Sequence, residues 1–192
     1  MPDRSHPFFP SSFLAPTRRQ SLGLLSATAV PLLAGRPALA QSRGDAHAAT
    51  DVSVLNAALA SELEAVAAYQ LGAESGLLTA PTKDVALQFQ SHHKAHADLL
   101  AGTVRKLGGQ PADPRGRYDF PTDKLKAEAD VLRFAASLER GAVSAYANAV
   151  PRFDDRMLAQ AAATILADEA MHWAVLRQVL GERPVVPAAF VG

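Results

Sequence analysis

Apolar residues return at a period close to 3.6 in four stretches of the chain, the spacing that places them on one face of a helix. From Asp51 to about Leu78 they fall at Val54, Leu55, Leu59, Leu63, Val66 and Leu71, with Asp51 standing where an N-cap would. A second stretch runs from Thr82 to Leu107 and stops at Gly108-Gly109, where a left-handed C-cap costs little. The third spans about Thr122 to Val150, with Thr122 or Asp123 as its cap and Pro151 just past its end. The fourth runs from about Asp154 to Leu180 and ends at Gly181. No segment alternates with period two, so the pattern predicts an all-α fold of four helices.

The links set the topology. The first and second helices, and the third and fourth, are joined by only a few residues, which makes each pair antiparallel neighbours. Between the second and third lies residues 109–121, rich in Pro and Gly. Fully extended, that segment reaches about 40–45 Å, enough to run the length of the bundle. An antiparallel four-helix bundle with one long crossover is therefore permitted, alongside the simple up-down arrangement.

The chain ahead of Asp51 reads as an address. Arg18-Arg19 precede an apolar run, Leu22 to Ala34, which is followed by Ala38-Leu39-Ala40, in the order of an export signal and its cleavage site. The run is interrupted by Gly23 and Pro31 and is shorter than the ~20 residues of a membrane helix. Residues 1–40 are thus assigned to an export signal, 41–50 to a linker, 51–181 to the bundle and 182–192 to an apolar tail, and no membrane anchor is expected after cleavage. The arginine pair with Leu22 three positions on resembles a twin-arginine signal, although Ser21 and Gly23 replace the usual Phe and Lys. That resemblance implies a periplasmic or otherwise exported protein, carried folded.

Composition narrows the chemistry. Nineteen basic residues balance 19 acidic ones with no dense Lys/Arg run, which argues against nucleic acid as a partner. The chain has no cysteine, so disulfides, thiolate ligands and thiol nucleophiles are excluded and any metal must be held by His and carboxylate.

Those ligand types recur in an internal repeat. Glu62 and Tyr69 of the first helix match Glu139 and Tyr146 of the third at an offset of 77, and His93-x-x-His96 of the second matches Glu169-x-x-His172 of the fourth at an offset of 76. Residues three apart share a helix face, so each pair can aim two ligands at one point, and residues seven apart lie two turns along that face. Packing the two hairpins about a pseudo-two-fold axis would bring these groups into one layer, where burial costs several kcal/mol per charge unless cations compensate. Tyr69 and Tyr146 are read as catalytic support, steadying a ligand carboxylate, or as plain core aromatics. His92 shares a face with His96 and is a further candidate. Glu64, Glu74, Asp98 and Asp168 fall off the ligand layer by helical angle and are assigned to solvent or caps, and Trp173 to packing.

With these residues the chain resembles the ferritin-like di-iron carboxylate proteins, such as bacterioferritin and rubrerythrin, over roughly Asp51 to Leu180. The run Leu55-Asn56-Ala57-Ala58-Leu59-Ala60-Ser61-Glu62-Leu63 ending in Tyr69 is similar to bacterioferritin's first helix. The resemblance implies Glu62 and Glu139 as terminal carboxylates, His96 as the second-helix histidine, Glu169 with His172 as the fourth-helix pair, and two divalent metal ions, iron foremost, with manganese, zinc or copper as alternatives. It also implies an oxidase or peroxidase acting on O2 or H2O2, or metal storage and stress protection. His93 departs from it, standing where the family has a bridging glutamate. An imidazole nitrogen binds one metal, so three Glu and three His could hold one ion well and a second weakly, or favour zinc or copper. Bacterioferritin's haem methionine is replaced by Lys94, so no haem is expected. A metal-free interaction module of the same fold is the competing reading, and a homodimer is open.

Overall fold

The computed structural model describes residues 36–186, with side chains from Gly44 onward. Four helices carry it: α1 Arg36–Glu74, α2 Ala80–Lys106, α3 Glu128–Ala149 and α4 Arg156–Val179. Single 3-10 turns, Thr122–Lys124 and Val150–Arg152, precede and follow α3, and no strand occurs among the described residues. None of the described helices is long and apolar enough to cross a membrane. The export signal assigned to 1–40 lies outside the described residues except for 36–40, and the end of the tail, 187–192, lies outside them too.

The connection between α2 and α3 takes the lengthwise route. It starts where Gln110 and Ala112 are held by Asn56 near the beginning of the bundle: the Asn56 amide donates to the Gln110 carbonyl at 2.9 Å and its oxygen accepts from the Ala112 N–H at 2.7 Å. It ends at the opposite pole, where the Glu128 carboxylate accepts from the Thr79 N–H at 3.0 Å in the α1–α2 turn. The crossover therefore delivers α3 antiparallel to α1. Phe120 anchors its last part, stacking on Tyr118 and meeting Phe134 of α3 edge-on.

The helix C-termini follow the glycines. Gly108 and Gly181 have φ of 77° and 70°, a region in which a side chain would be strained. In both cases the next residue returns a hydrogen bond to the last turn, Gly109 N to Val104 O at 2.9 Å and Glu182 N to Arg177 O at 3.0 Å, which satisfies carbonyls the helix leaves free.

The N-termini correct two expectations. α1 does not begin at Asp51 but continues back through 41–50, an alanine-containing stretch with no breaker strong enough to stop it. Asp51, 4% exposed, caps a different helix: its carboxylate accepts the N–H groups of Asp154 at 2.8 Å and Asp155 at 3.2 Å, just ahead of α4. Asp155 is the N-cap of α4, accepting from Met157 N at 2.7 Å. Nor does α3 start at Thr122 or Asp123, which close only the 3-10 turn. Its start is fixed by Asp130, whose carboxylate accepts from Lys126 N and Ala127 N.

Two apolar clusters fill the bundle. One, around Leu55, Leu59, Leu100, Val104, Tyr146 and Ile165, occupies the end where α1 enters. The other, around Tyr69, Phe89, Leu132, Val143, Trp173 and Leu176, occupies the end where the crossover lands. Trp173 also carries the Arg177 guanidinium over its ring at 5.5 Å, and Arg177 holds the tail by donating to the Pro184 and Val185 carbonyls.

Replacing Asp51 with Ala strips two backbone donors of their acceptor and is expected to destabilise the bundle by about 1–3 kcal/mol. The measurement is a lower denaturant midpoint at unchanged slope; a midpoint equal to wild type would remove the capping role.

Candidate metal centre

Between the two apolar clusters lies a polar layer to which every helix contributes. α1 supplies Glu62, α2 His93 and His96, α3 Glu139, and α4 Glu169 and His172, all 8% exposed or less. They reach one level because each sits mid-helix on the inward stripe, and the three-residue steps in α2 and α4 turn both members of a pair to the same side.

The layer contains two overlapping groups, Glu62, His93, His96, Glu169 and His93, Glu139, Glu169, His172, in each of which one ligand atom per residue lies within 4.8 Å of the others. His93 and Glu169 belong to both. Glu169 faces the first group with Oε1, 3.2 Å from His96 Nδ1, and the second with Oε2, 3.7 Å from His172 Nδ1. His93 spans the terminal carboxylates, with Nδ1 2.8 Å from Glu62 Oε2 and Nε2 3.3 Å from Glu139 Oε1. Each of its two nitrogens thus faces a different group.

The tyrosines support the opposite helix. Tyr69 of α1 donates to Glu139 of α3, and Tyr146 of α3 donates to Glu62 of α1 at 2.5 Å. Residues seven apart on one helix are about 10 Å apart along its axis, too far to touch, whereas antiparallel packing of α1 and α3 sets each hydroxyl beside the partner's carboxylate.

Two further residues hold the ligand histidines from outside. His96 Nε2 lies 3.2 Å from Asp168 Oδ2, and His172 Nε2 lies 2.9 Å from His92 Nδ1. With the outer nitrogen engaged as a donor, the proton each ring gives up on binding a cation is the one on Nδ1, which leaves a lone pair inward, the tautomer a ligand needs. Asp168, expected only to face solvent or cap, keeps a side chain 37% exposed and also holds His96 from behind. The repeat carries the signal that finds both: His92 and Asp168 precede the paired motifs at the same offset of 76.

The charges are strongly linked. For His93, burial pushes the pKa down, but hydrogen bonds with Glu139 and Glu62 outweigh it and raise it to about 10. Burial also opposes His96, which Glu169 and Glu62 raise to about 10. Glu62 and Glu139 would be raised by burial and are instead held below the usual carboxylate range by the histidines around them. Glu169, which no tyrosine supports, stays raised by burial. Burial, with the neighbouring His172, lowers His92, consistent with a neutral ring accepting from His172. A carboxylate only accepts, so a His93 in contact with one at each nitrogen is an imidazolium.

Five inward atoms still have no hydrogen-bond partner: His96 Nδ1, His172 Nδ1, Glu139 Oε2 and both oxygens of Glu169. Buried polar atoms are rarely left so, and these converge from both groups on shared points. Lone pairs on carboxylate and imidazole at one point fit a divalent cation, which would displace the protons now on the rings. All six predicted ligands, and both tyrosines, lie in or against this layer.

The fold and this layer together mark a ferritin-like bundle with a carboxylate and histidine interior. Residues 50–182 match the model of the ferritin-like domain family, and the chain belongs to that family. A conserved hypothetical protein from Mycobacterium tuberculosis, rv2844, is similar in structure, with a TM-score of 0.62 and 22% identity over 75% of this chain and 99% of that one. A ferritin-like, diiron-carboxylate protein from Bacillus anthracis str. Ames gives a TM-score of 0.61 and 21% identity over 70% of this chain and 97% of that one. No curated protein matches the chain.

Folded His93 and His96 hold their protons to about pH 10, whereas the unfolded rings release them near 6.5. Their stabilisation is complete below the unfolded value and fades as pH rises through the folded one. Chelator-treated protein is thus expected to melt at a lower temperature near the upper end of that window than at its lower end. A melting temperature that stays level or climbs would show the rings to be neutral.

Proposed function

We propose that this chain is an exported ferritin-like protein that binds divalent metal, iron foremost, in the Glu/His layer and uses it to oxidise metal or consume O2 or H2O2. The observation that carries the reading is the convergence of five unpartnered, buried ligand atoms on two overlapping groups. When bound, a metal pair supplies Lewis-acid and redox chemistry at its open positions.

The chain's own residues would then divide the work. Glu62 and Glu139 serve as terminal carboxylates, each fixed by the tyrosine of the other helix, so that neither swings away as charge changes. Glu169 offers one oxygen to each group. His96 and His172 bind through Nδ1, with their outer protons held on Asp168 and His92. The apolar clusters above and below keep bulk water from the layer and so strengthen every charge interaction inside it. With no cysteine the chain has no rubredoxin-type electron carrier, which favours oxidation of the metal itself or electrons from a partner.

One observation favours a second reading, a metal-free interaction module. His93 already gives an N–H to each terminal carboxylate and offsets part of their charge, so the layer has an internal cation of its own.

Metal analysis of the purified mature protein decides between them. Near-stoichiometric iron, manganese, zinc or copper is expected, and less than about 0.1 ion per chain after reconstitution would favour the metal-free module. Glu169→Gln and His172→Ala should each abolish binding, and His93→Glu should raise two-metal occupancy; unchanged content in the first two would remove the assignment.

Export rests on Arg18-Arg19 ahead of the apolar run. Changing both to Lys is expected to leave an uncleaved precursor in the cytoplasm, whereas continued release of a chain beginning at Gln41 would point to general secretion.

A further inference from the structure

The polar layer is walled on most sides. Apolar clusters close it above and below, and on the α2 and α4 side the outer nitrogens of His96 and His172 are covered by Asp168 and His92. The seam between α1 and α3 differs. A pocket of about 200 Å3 opens there, and its floor is formed by Glu62, His93 and Glu139. Its walls include Ala65 and Ala142, and its mouth includes Gly141, exposed at the surface, and Glu64.

We infer that this α1–α3 pocket is the path by which a divalent cation reaches the centre, with Glu64 the first carboxylate it meets. The inference rests on the metal-binding reading above. Small side chains make the passage: residues longer than alanine at 65 or 142 would fill it. The repeat makes it one-sided as well. Glu64 and Gly141 are equivalent positions at the offset of 77, so one helix offers a carboxylate at the rim and the other offers no side chain. Among the described residues Glu64 forms no ion pair, which leaves it free to receive a cation. Glu62 and Glu139 line the same pocket, so a cation entering between its alanine and leucine walls meets one carboxylate at the rim and two more at the floor, which offset part of its desolvation.

Gly141→Leu plugs the mouth without touching a ligand. A Cβ at 141 meets nothing within 4 Å, and leucine favours helix, so the bundle persists. Cobalt(II), followed by its visible absorbance, is expected to load about tenfold more slowly or worse in this variant, a barrier rise of about 1.4 kcal/mol, while the final cobalt per chain equals wild type. Glu64→Gln should also load slowly and respond less to ionic strength. Ala95→Leu, on the exposed face of α2, should load at the wild-type rate. Loading of Gly141→Leu at full rate would overturn the route while leaving metal binding intact. Absence of cobalt uptake by the wild type would overturn the metal-binding reading, and the route with it.

Discussion

Three carboxylates buried at one level of a helical bundle cannot stand without opposite charge, and nearly every polar contact of the interior answers that demand. Glu62, Glu139 and Glu169 are at most 2% exposed, and an isolated ionised carboxylate at such a site would take up a proton or unfold the chain. Two of them remain ionised because histidines from α2 and α4 stand against them and a tyrosine hydroxyl donates to each. The third, without a tyrosine, is pushed toward its neutral form. The same electrostatics explain the division of the core, since apolar clusters above and below leave the charged layer no outlet along the bundle axis.

The internal repeat turns that demand into geometry. Antiparallel α1 and α3 place Tyr69 beside Glu139 and Tyr146 beside Glu62, so each hairpin supports the carboxylate of the other. The second and fourth helices do the same for the histidines, with Asp168 of α4 behind His96 of α2 and His92 of α2 behind His172 of α4. Neither hairpin alone completes a group. The long crossover that permits this arrangement is consequently part of the centre's construction, and its clamp at Asn56 and landing at Thr79 set the registry of α3 against α1.

Much of this was legible in the sequence. Helix number, antiparallel pairing and the inward placement of Glu62, His93, His96, Glu139, Glu169 and His172 follow from apolar period and matched offsets, because those features depend on spacing alone, whereas the length of residues 109–121 permitted the crossover without requiring it. Helix starts were not, since a cap is a contact and Asp51 can satisfy donors of another helix as well as its own. Asp168 escaped for a related reason. Helical angle places it at the edge of the layer, and only the position of His96 on a neighbouring helix shows that an edge carboxylate can grip a ligand ring from behind. The crossing of the tyrosines likewise required the relative direction of α1 and α3, which period and spacing leave open.

His93 concentrates what distinguishes this interior. Its place, shared by both groups, would suit a second carboxylate like Glu169, and that would bring the layer to four negative charges with fewer protons to balance them. Imidazole reverses the balance. Charged, it gives one donor to each terminal carboxylate, and with His96 also charged the bundle can keep its three glutamates buried without help from outside. Neutral, it returns a lone pair to the centre, and its proton must leave as a cation arrives. In the proposed metal-bound form, uptake is therefore an exchange of protons for metal at His93 and His96, and affinity depends on pH more steeply than it would with glutamate at 93. A histidine here favours a protein that folds first and is filled later.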